Sequence, residues 1–321
     1  MTNKNILNLL IDKNIISAEV ANQIEIDDAS KPFSIHWELR TMLYLGISLL
    51  MAGLGILIYK NIDTIGHDVL IGLIAILCGF CFYFSFKHAK PFSWQEITNT
   101  GKLTDFALLA ACLLFLALEG YVQYQYNLFG NRYGLAALFP AIIFFISSYW
   151  FDHRGVLSMA ITALTSSIGI SIIPVTIWQS DNLNTISLII SAITLGVILV
   201  IVGFISEKKD LKKHFSFTYL LYGSNMVFLA ALTGLFGFDN KVIYFLIVIL
   251  MSLLSIYYAR KTHSYLFVLM GVVFGYTAFT YSFFNLLPSD YDFFTYQFYF
   301  FASAGGIIYF LLNIKKIVKS E

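Results

Sequence analysis

The chain has 321 residues, 58% of them hydrophobic and only 12% charged, with a mean hydropathy of +0.76. An ordinary soluble domain is ~45–50% apolar and ~25% charged, so composition excludes both a soluble enzyme and a disordered chain and makes lipid the solvent for most of the sequence. A formal net charge of +1 gives no electrostatic reason to expect a nucleic-acid partner.

The first 40 residues hold no apolar core followed by a small-residue cleavage site, so no removed signal peptide is expected. Residues 4–28 read as two short amphipathic helices. Ile6 and Leu10, and Leu7 and Ile11, share one face at a spacing of four. Ser17 is the expected N-cap of the second helix, with Glu19 in its first turn. Asp27, Asp28, Ser30 and Pro32 close the unit. The expected organisation is a cytoplasmic helical hairpin over 1–31 and a transmembrane bundle over 32–321.

Ten apolar runs follow: Met42–Tyr59, Val69–Phe86, Thr104–Tyr124, Gly134–Phe151, Val156–Trp178, Leu183–Ile205, Phe217–Phe236, Val242–Tyr258, Ser264–Phe284 and Phe294–Leu312. Each approaches the ~20 residues that cross a hydrocarbon core as a helix. They are continuous rather than alternating, which excludes a β-barrel, and a helix satisfies its own backbone in lipid. The fold class is therefore all-α, a polytopic transmembrane helix bundle of about ten spans with a short N-terminal amphipathic hairpin. With a cytoplasmic N-terminus, 17 basic residues fall inside and only Lys60, Arg132 and Lys241 fall outside. That asymmetry places both termini in the cytoplasm. Trp37, Trp94, Trp150 and Trp178 lie close to span ends, the level where aromatic belts form.

Few intramembrane residues carry chemistry. Glu119 is the acidic residue well inside a span, one turn from Gln123, and Arg132 in the following loop is within chain reach. It is either an interfacial carboxylate that snorkels outward or pairs with Arg132, or a proton- or substrate-handling group. Ser158, Thr162 and Ser166 repeat every four residues on the fifth span, beside Thr165, Ser167, Gly169 and Ser171. Such a stripe either lines a hydrated path or packs closely against a neighbour. Gly271 and Gly275, and Gly46, Gly53 and Gly55, are packing signals. Cys78 and Cys81 form a C-x-x-C in mid-span and, with Cys112, read as apolar filler. The six histidines show no ligand spacing, so no metal, cofactor or catalytic residue is assigned. An echo between Ser147-Ser148-Tyr149-Trp150 and Ser255-Ile256-Tyr257-Tyr258 hints at a parallel duplication.

The run Leu10 to Ala21, followed by Trp37 and Arg40, a glycine-bearing span, and Asn61-Ile62-Asp63 with Gly66, resembles a family of bacterial multi-pass membrane proteins with a domain of unknown function. The family's loop often has Trp at the position of Ile62. The resemblance covers roughly the first 90 residues and implies an integral inner-membrane protein; it carries no catalytic residues. Three functions stand open: a transporter-like or permeation role, a membrane scaffold or assembly factor, and an enzyme on lipid-linked substrates. The scaffold would dock a cytoplasmic protein partner through residues 4–28, or self-associate. The enzyme would use Asp63, His67 and Asp68, or Asp152, His153 and Arg154, and is the weakest because neither cluster is denser than ordinary loop sequence. The bilayer is the one partner that composition implies directly.

Overall fold

The computed structural model describes residues 17, 20–21, 36–97, 101–130, 132–172, 186–286 and 293–319. Among them it is helical and without strands. The ten α-helices are α1 (His36–Ile65), α2 (His67–Lys87), α3 (Lys102–Tyr126), α4 (Tyr133–Phe151), α5 (Arg154–Ile172), α6 (Ile186–Lys209), α7 (Ser216–Gly237), α8 (Lys241–Thr262), α9 (Tyr265–Leu286) and α10 (Phe293–Lys319). A single 3₁₀ turn, Lys213–Phe215, joins α6 to α7. Each expected apolar run lies on one of these helices, apart from Ser264 at the start of the ninth run and the parts of the fifth and sixth runs that fall outside the described residues. Among the described residues eight stretches on α2 to α9, the α7 one starting in the 3₁₀ turn, are long and apolar enough to cross a membrane, and α1 adds the shorter apolar stretch Thr41–Leu57.

The chain forms two compact units, Met1–Ile56 and Leu57–Glu321. In the first, Ser17 Oγ accepts the Val20 N–H at 3.4 Å and the Ser17 carbonyl accepts the Ala21 N–H at 3.0 Å. This is the expected N-cap, a side-chain oxygen satisfying an orphan donor of the first turn. Most of the expected hairpin over residues 4–28 lies outside the described residues.

In the second unit the turns 88–97, 152–153, 210–215 and 263–264 close one end of consecutive helix pairs and, together with the helix ends beside them, carry most of its described basic residues. We call this end the basic face, and the end bearing turns 127–130 and 238–240 the opposite face. More of α7 is buried than of any other span, which makes it the central helix. Its Val227, Phe228, Ala231 and Leu235 pack with Ile189 of α6 and Tyr244, Val248 and Met251 of α8. Large apolar residues on the outer flanks, such as Val242, Leu246, Leu250 and Leu253 of α8, remain exposed and face the lipid.

Helices in lipid gain no hydrophobic drive from meeting each other, so contact depends on close backbone approach through small residues. A Cβ added to Gly196 of α6 would lie 2.8 Å from the Gly223 carbonyl, and one added to Gly223 of α7 would lie 2.7 Å from the Gly196 carbonyl. The two glycines face each other. Gly271 and Gly275 of α9 approach Ser252 of α8 in the same way, as their spacing predicts, whereas Gly46, Gly53 and Gly55 have nothing within 4 Å of an added Cβ.

The echo between the ends of α4 and α8 stops at the turn. The left-handed residue that closes the helix comes two positions after Trp150, at Asp152, but five after Tyr258, at His263.

These glycine contacts predict different costs for the same substitution. Gly223→Ala should destabilise the purified protein by about 1–3 kcal/mol through overpacking. Gly46→Ala should be neutral or stabilising by less than ~1 kcal/mol from helix propensity alone. Thermal melting of both variants in one detergent checks the difference.

Candidate functional site: a buried ion cluster at the basic face

The most heavily buried charges meet at the basic face. Helix α4 ends where Asp152 turns to a left-handed conformation (φ 58°), its N–H bonded to the Ser148 carbonyl. A short polar side chain tolerates this geometry better than a bulky one. The turn aims the carboxylate inward, and its side chain is 2% exposed. Oδ1 accepts hydrogen bonds from Lys212 Nζ at 2.7 Å and His214 Nε2 at 2.6 Å. Oδ2 accepts the backbone N–H of Ile97 at 2.7 Å.

Each donor is itself fixed. Lys212 is left-handed too (φ 49°), its side chain is fully buried, and its backbone N–H donates to the Trp94 carbonyl at 2.8 Å. Its ammonium lies 5.3 Å from the Phe92 ring centre and 5.9 Å from that of Phe215, within cation–π range. Ser206 Oγ donates to the carbonyls of Leu211 at 2.6 Å and Lys212 at 3.2 Å, tying the last turn of α6 to the loop. The His214 ring packs edge-on against Phe215. The Phe215 ring in turn meets Tyr149, whose hydroxyl shares a hydrogen bond of 3.0 Å with the Tyr219 hydroxyl. Three segments far apart in sequence are thereby joined at one carboxylate.

The flanking residues have separate work. His153 Nδ1 accepts the Val156 N–H at 3.1 Å and so caps α5, which puts the ring proton on Nε2. Arg154 pairs with Glu96 at 2.7 Å, both more than half exposed. The Asp152, His153 and Arg154 considered for catalysis therefore serve three different contacts. On the opposite face His67 shares a hydrogen bond with the Tyr121 hydroxyl and Tyr126 donates to Asp68, while the Asp63 side chain lies outside the described residues. Among the described residues no three His, Cys, Asp or Glu side chains are grouped to hold a metal ion.

On α5 the row of Ser158, Thr162 and Ser166 is distinct from the row that packs against α4. Ser158 donates to the Arg154 carbonyl and Thr162 to the Ser158 carbonyl, each within its own helix. Thr162 and Ser166 are exposed. The adjacent row does the interhelical work: Ser167 Oγ donates to the Gly134 carbonyl of α4 at 2.7 Å, and an added Cβ at Gly134 would collide with Ser171 Oγ. Hydroxyls that satisfy themselves on their own helix need no water-filled path.

Gln123 likewise has a structural task. Its Oε1 accepts the Phe129 N–H at 2.9 Å, and its Nε2 donates to Asn127 Oδ1 at 3.2 Å and the Gly130 carbonyl at 3.4 Å, holding the opposite-face turn. Glu119, one turn deeper, is half-buried; its Oε1 is shielded and has no hydrogen-bond partner. Among the described residues no ion pair joins Glu119 to Arg132, so of the two interfacial readings the pairing finds no support. Cys78 donates to the Ala111 carbonyl at 3.5 Å, and it and Cys112 are buried in apolar surroundings, as filler would be.

With this geometry in place the chain can be set beside known proteins. Residues 8–157 match the family described as "Predicted membrane protein (DUF2157)". This agrees with the resemblance seen in the first 90 residues. The match takes in Asp152 and Arg154 and ends before Lys212 and His214. No curated protein and no solved structure matches the chain.

Removing one member of a buried pair strands the other charge, at a typical cost of ~3–5 kcal/mol. Asp152→Ala should therefore lower stability by about that amount, and Asp152→Ala combined with Lys212→Met should recover a good part of it because no bare ammonium remains. Glu96→Gln, in an exposed pair, should cost ~0–1 kcal/mol. Melting curves of the three proteins in one detergent check the order. Equal stability of wild type and Asp152→Ala would deny the cluster its structural weight.

Proposed function

We propose that this integral membrane protein acts as a non-enzymatic scaffold or assembly factor, with a fixed basic face presented to the cytoplasm. The observation that carries the reading is the Asp152 cluster. It ties the 92–97 segment, the α4–α5 turn and the α6–α7 turn together through buried, charge-assisted hydrogen bonds, where an alternating-access carrier needs such contacts to open. The polar side chains of α5 add support, since those with a bond spend it on helix carbonyls. In this reading the N-terminal segment over residues 4–28 docks a cytoplasmic protein or a second copy of the chain, and both termini lie on the cytoplasmic side of the inner membrane.

Two measurements test it. Reporter fusions after Lys90, Arg154, Lys209 and Lys261 should read as cytoplasmic, and fusions after Lys60, Arg132, Asp181 and Lys241 as external; two consecutive reporters on one side would sink the topology. Nitroxide labels at Gln95→Cys and Lys209→Cys, in a variant without the native cysteines, should give one narrow distance distribution in vesicles with and without a proton gradient. Two exchanging populations would favour a carrier.

A transport reading keeps one specific observation in its favour, the unpartnered Oε1 of Glu119. Its test is Glu119→Gln. The scaffold reading expects normal melting and normal growth. Normal melting with a null growth phenotype, absent in Arg132→Gln, would put transport first.

A further inference from the structure

A groove of about 330 Å³ opens at the opposite-face end of α8 and α9, lined by Val242, Phe245, Phe279, Ser282 and Phe283, with Lys241 and Asn285 at its mouth. The size falls within the ~300–1,000 Å³ of ligand-binding clefts. Val242 and Phe279 are largely exposed, so the groove opens sideways onto the surface that faces acyl chains.

The mouth is held in place. Lys241 Nζ donates to Asn285 Oδ1 at 2.7 Å and lies 5.4 Å from the centre of the Tyr281 ring. Asn285 is oriented by donating its Nδ2–H to the Tyr281 carbonyl at 3.1 Å, and the Tyr281 ring packs edge-on against Phe236. An ammonium has three donors, and the amide takes one. Among the described residues no carboxylate pairs with Lys241. Its charge is also placed against two general preferences. It is the first residue of α8, where the helix dipole is positive and favours an anion, and that helix end carries no side-chain cap. It is also one of the three basic residues that the charge asymmetry assigns to the external side. An anion at this position would be complementary to both the ammonium and the helix end.

We infer that the groove is a binding site for one anionic glycerophospholipid of the leaflet at the opposite face, with the phosphate at Lys241 and an acyl chain along Phe245, Phe279 and Phe283. A diffusible phosphate has no use for the apolar floor, and a zwitterionic lipid gains less from an uncompensated ammonium. The site is independent of the scaffold reading, because it lies at the other end of the bundle from the Asp152 cluster.

The test uses the full chain in bilayers of phosphatidylcholine, with its four native tryptophans replaced by phenylalanine and Phe279→Trp as the one indole fluorophore, in the groove wall. Brominated phosphatidylglycerol and brominated phosphatidylcholine with the same acyl chains serve as contact quenchers. Phosphatidylglycerol should quench this reporter at roughly five-fold lower mole fraction, the preference one lysine near a membrane surface gives. Lys241→Gln on the reporter background should erase the preference, and Lys241→Arg should keep it. Ser282→Phe, which fills the groove, should reduce quenching by both lipids. Equal quenching by the two lipids, or a preference that survives Lys241→Gln, would overturn the inference. So would inorganic phosphate at millimolar concentration abolishing the preference, since that would make the mouth an anion site without a lipid. If Lys241→Gln does not fold, the Arg and Phe variants still decide the matter.

Discussion

The basic face depends on a single carboxylate. A carboxylate removed from water is costly unless each oxygen finds a donor, and the low dielectric that raises this cost also strengthens every bond that answers it. Asp152 is answered from two distant segments, by three residues 55, 60 and 62 positions away in the chain. None of these contacts is local. The loop after α2, the α4–α5 turn and the α6–α7 turn cannot take up independent positions while that oxygen pair is buried. The left-handed backbone at Asp152 and at Lys212, and the Ser206 hydroxyl on two loop carbonyls, are the local adjustments that bring the donors and the acceptor together.

Between the two faces the rules differ. A spanning helix satisfies its backbone internally, so its hydroxyls can bond their own carbonyls, and several do on α5, α6, α7 and α9. What remains to join helices is contact. The Gly196–Gly223 approach and the seat of Gly134 against Ser167 and Ser171 supply it by letting backbones meet. Polar connections between distant segments are concentrated at the ends, in the Asp152 cluster on one face and in the His67–Tyr121 and Asp68–Tyr126 contacts and the Gln123 turn on the other. The bundle is thus joined in the hydrocarbon region mainly by packing, with a few interhelical hydrogen bonds such as Tyr276–Ser303 and Thr280–Tyr299, and at its margins by charge and hydrogen bonds.

The spans were legible because twenty apolar residues in lipid admit almost no structure but a helix, and Ser17 was legible because capping is local. The partners of a face were not. Ser158, Thr162 and Ser166 do share a row, as spacing dictates, but spacing cannot say whether that row meets lipid, water or a neighbour. The row that matters for packing, Ser167 and Ser171, is offset by one residue. Gly196 and Gly223 lie on different helices without any motif between them, so only their meeting reveals their role. Lys212 sits in a run with Lys208, Lys209 and Lys213, and nothing in composition separates it from those solvated neighbours. The one usable signal is Asp152, an acidic residue in the short connection 152–155 between the fourth and fifth apolar runs, which by spacing alone reads as a weak catalytic candidate.

Lys212 and Lys241 show how one side chain is settled in two ways at the two margins. Lys212 is fully buried, and its charge is met by a carboxylate that a histidine and a backbone amide also hold. Nothing further is required of it, and its removal matters chiefly through what it leaves behind at Asp152. Among the described residues Lys241 is met by a neutral amide and by the face of a tyrosine. Both contacts orient the ammonium, and neither cancels its charge. A membrane protein that needed only a solvated lysine at a helix end would gain nothing from fixing it above an apolar groove. The difference between the two lysines is therefore one of charge neutrality rather than of geometry. It is the open charge balance at Lys241, next to a groove of acyl-chain character, that distinguishes a place for a ligand from an internal tie.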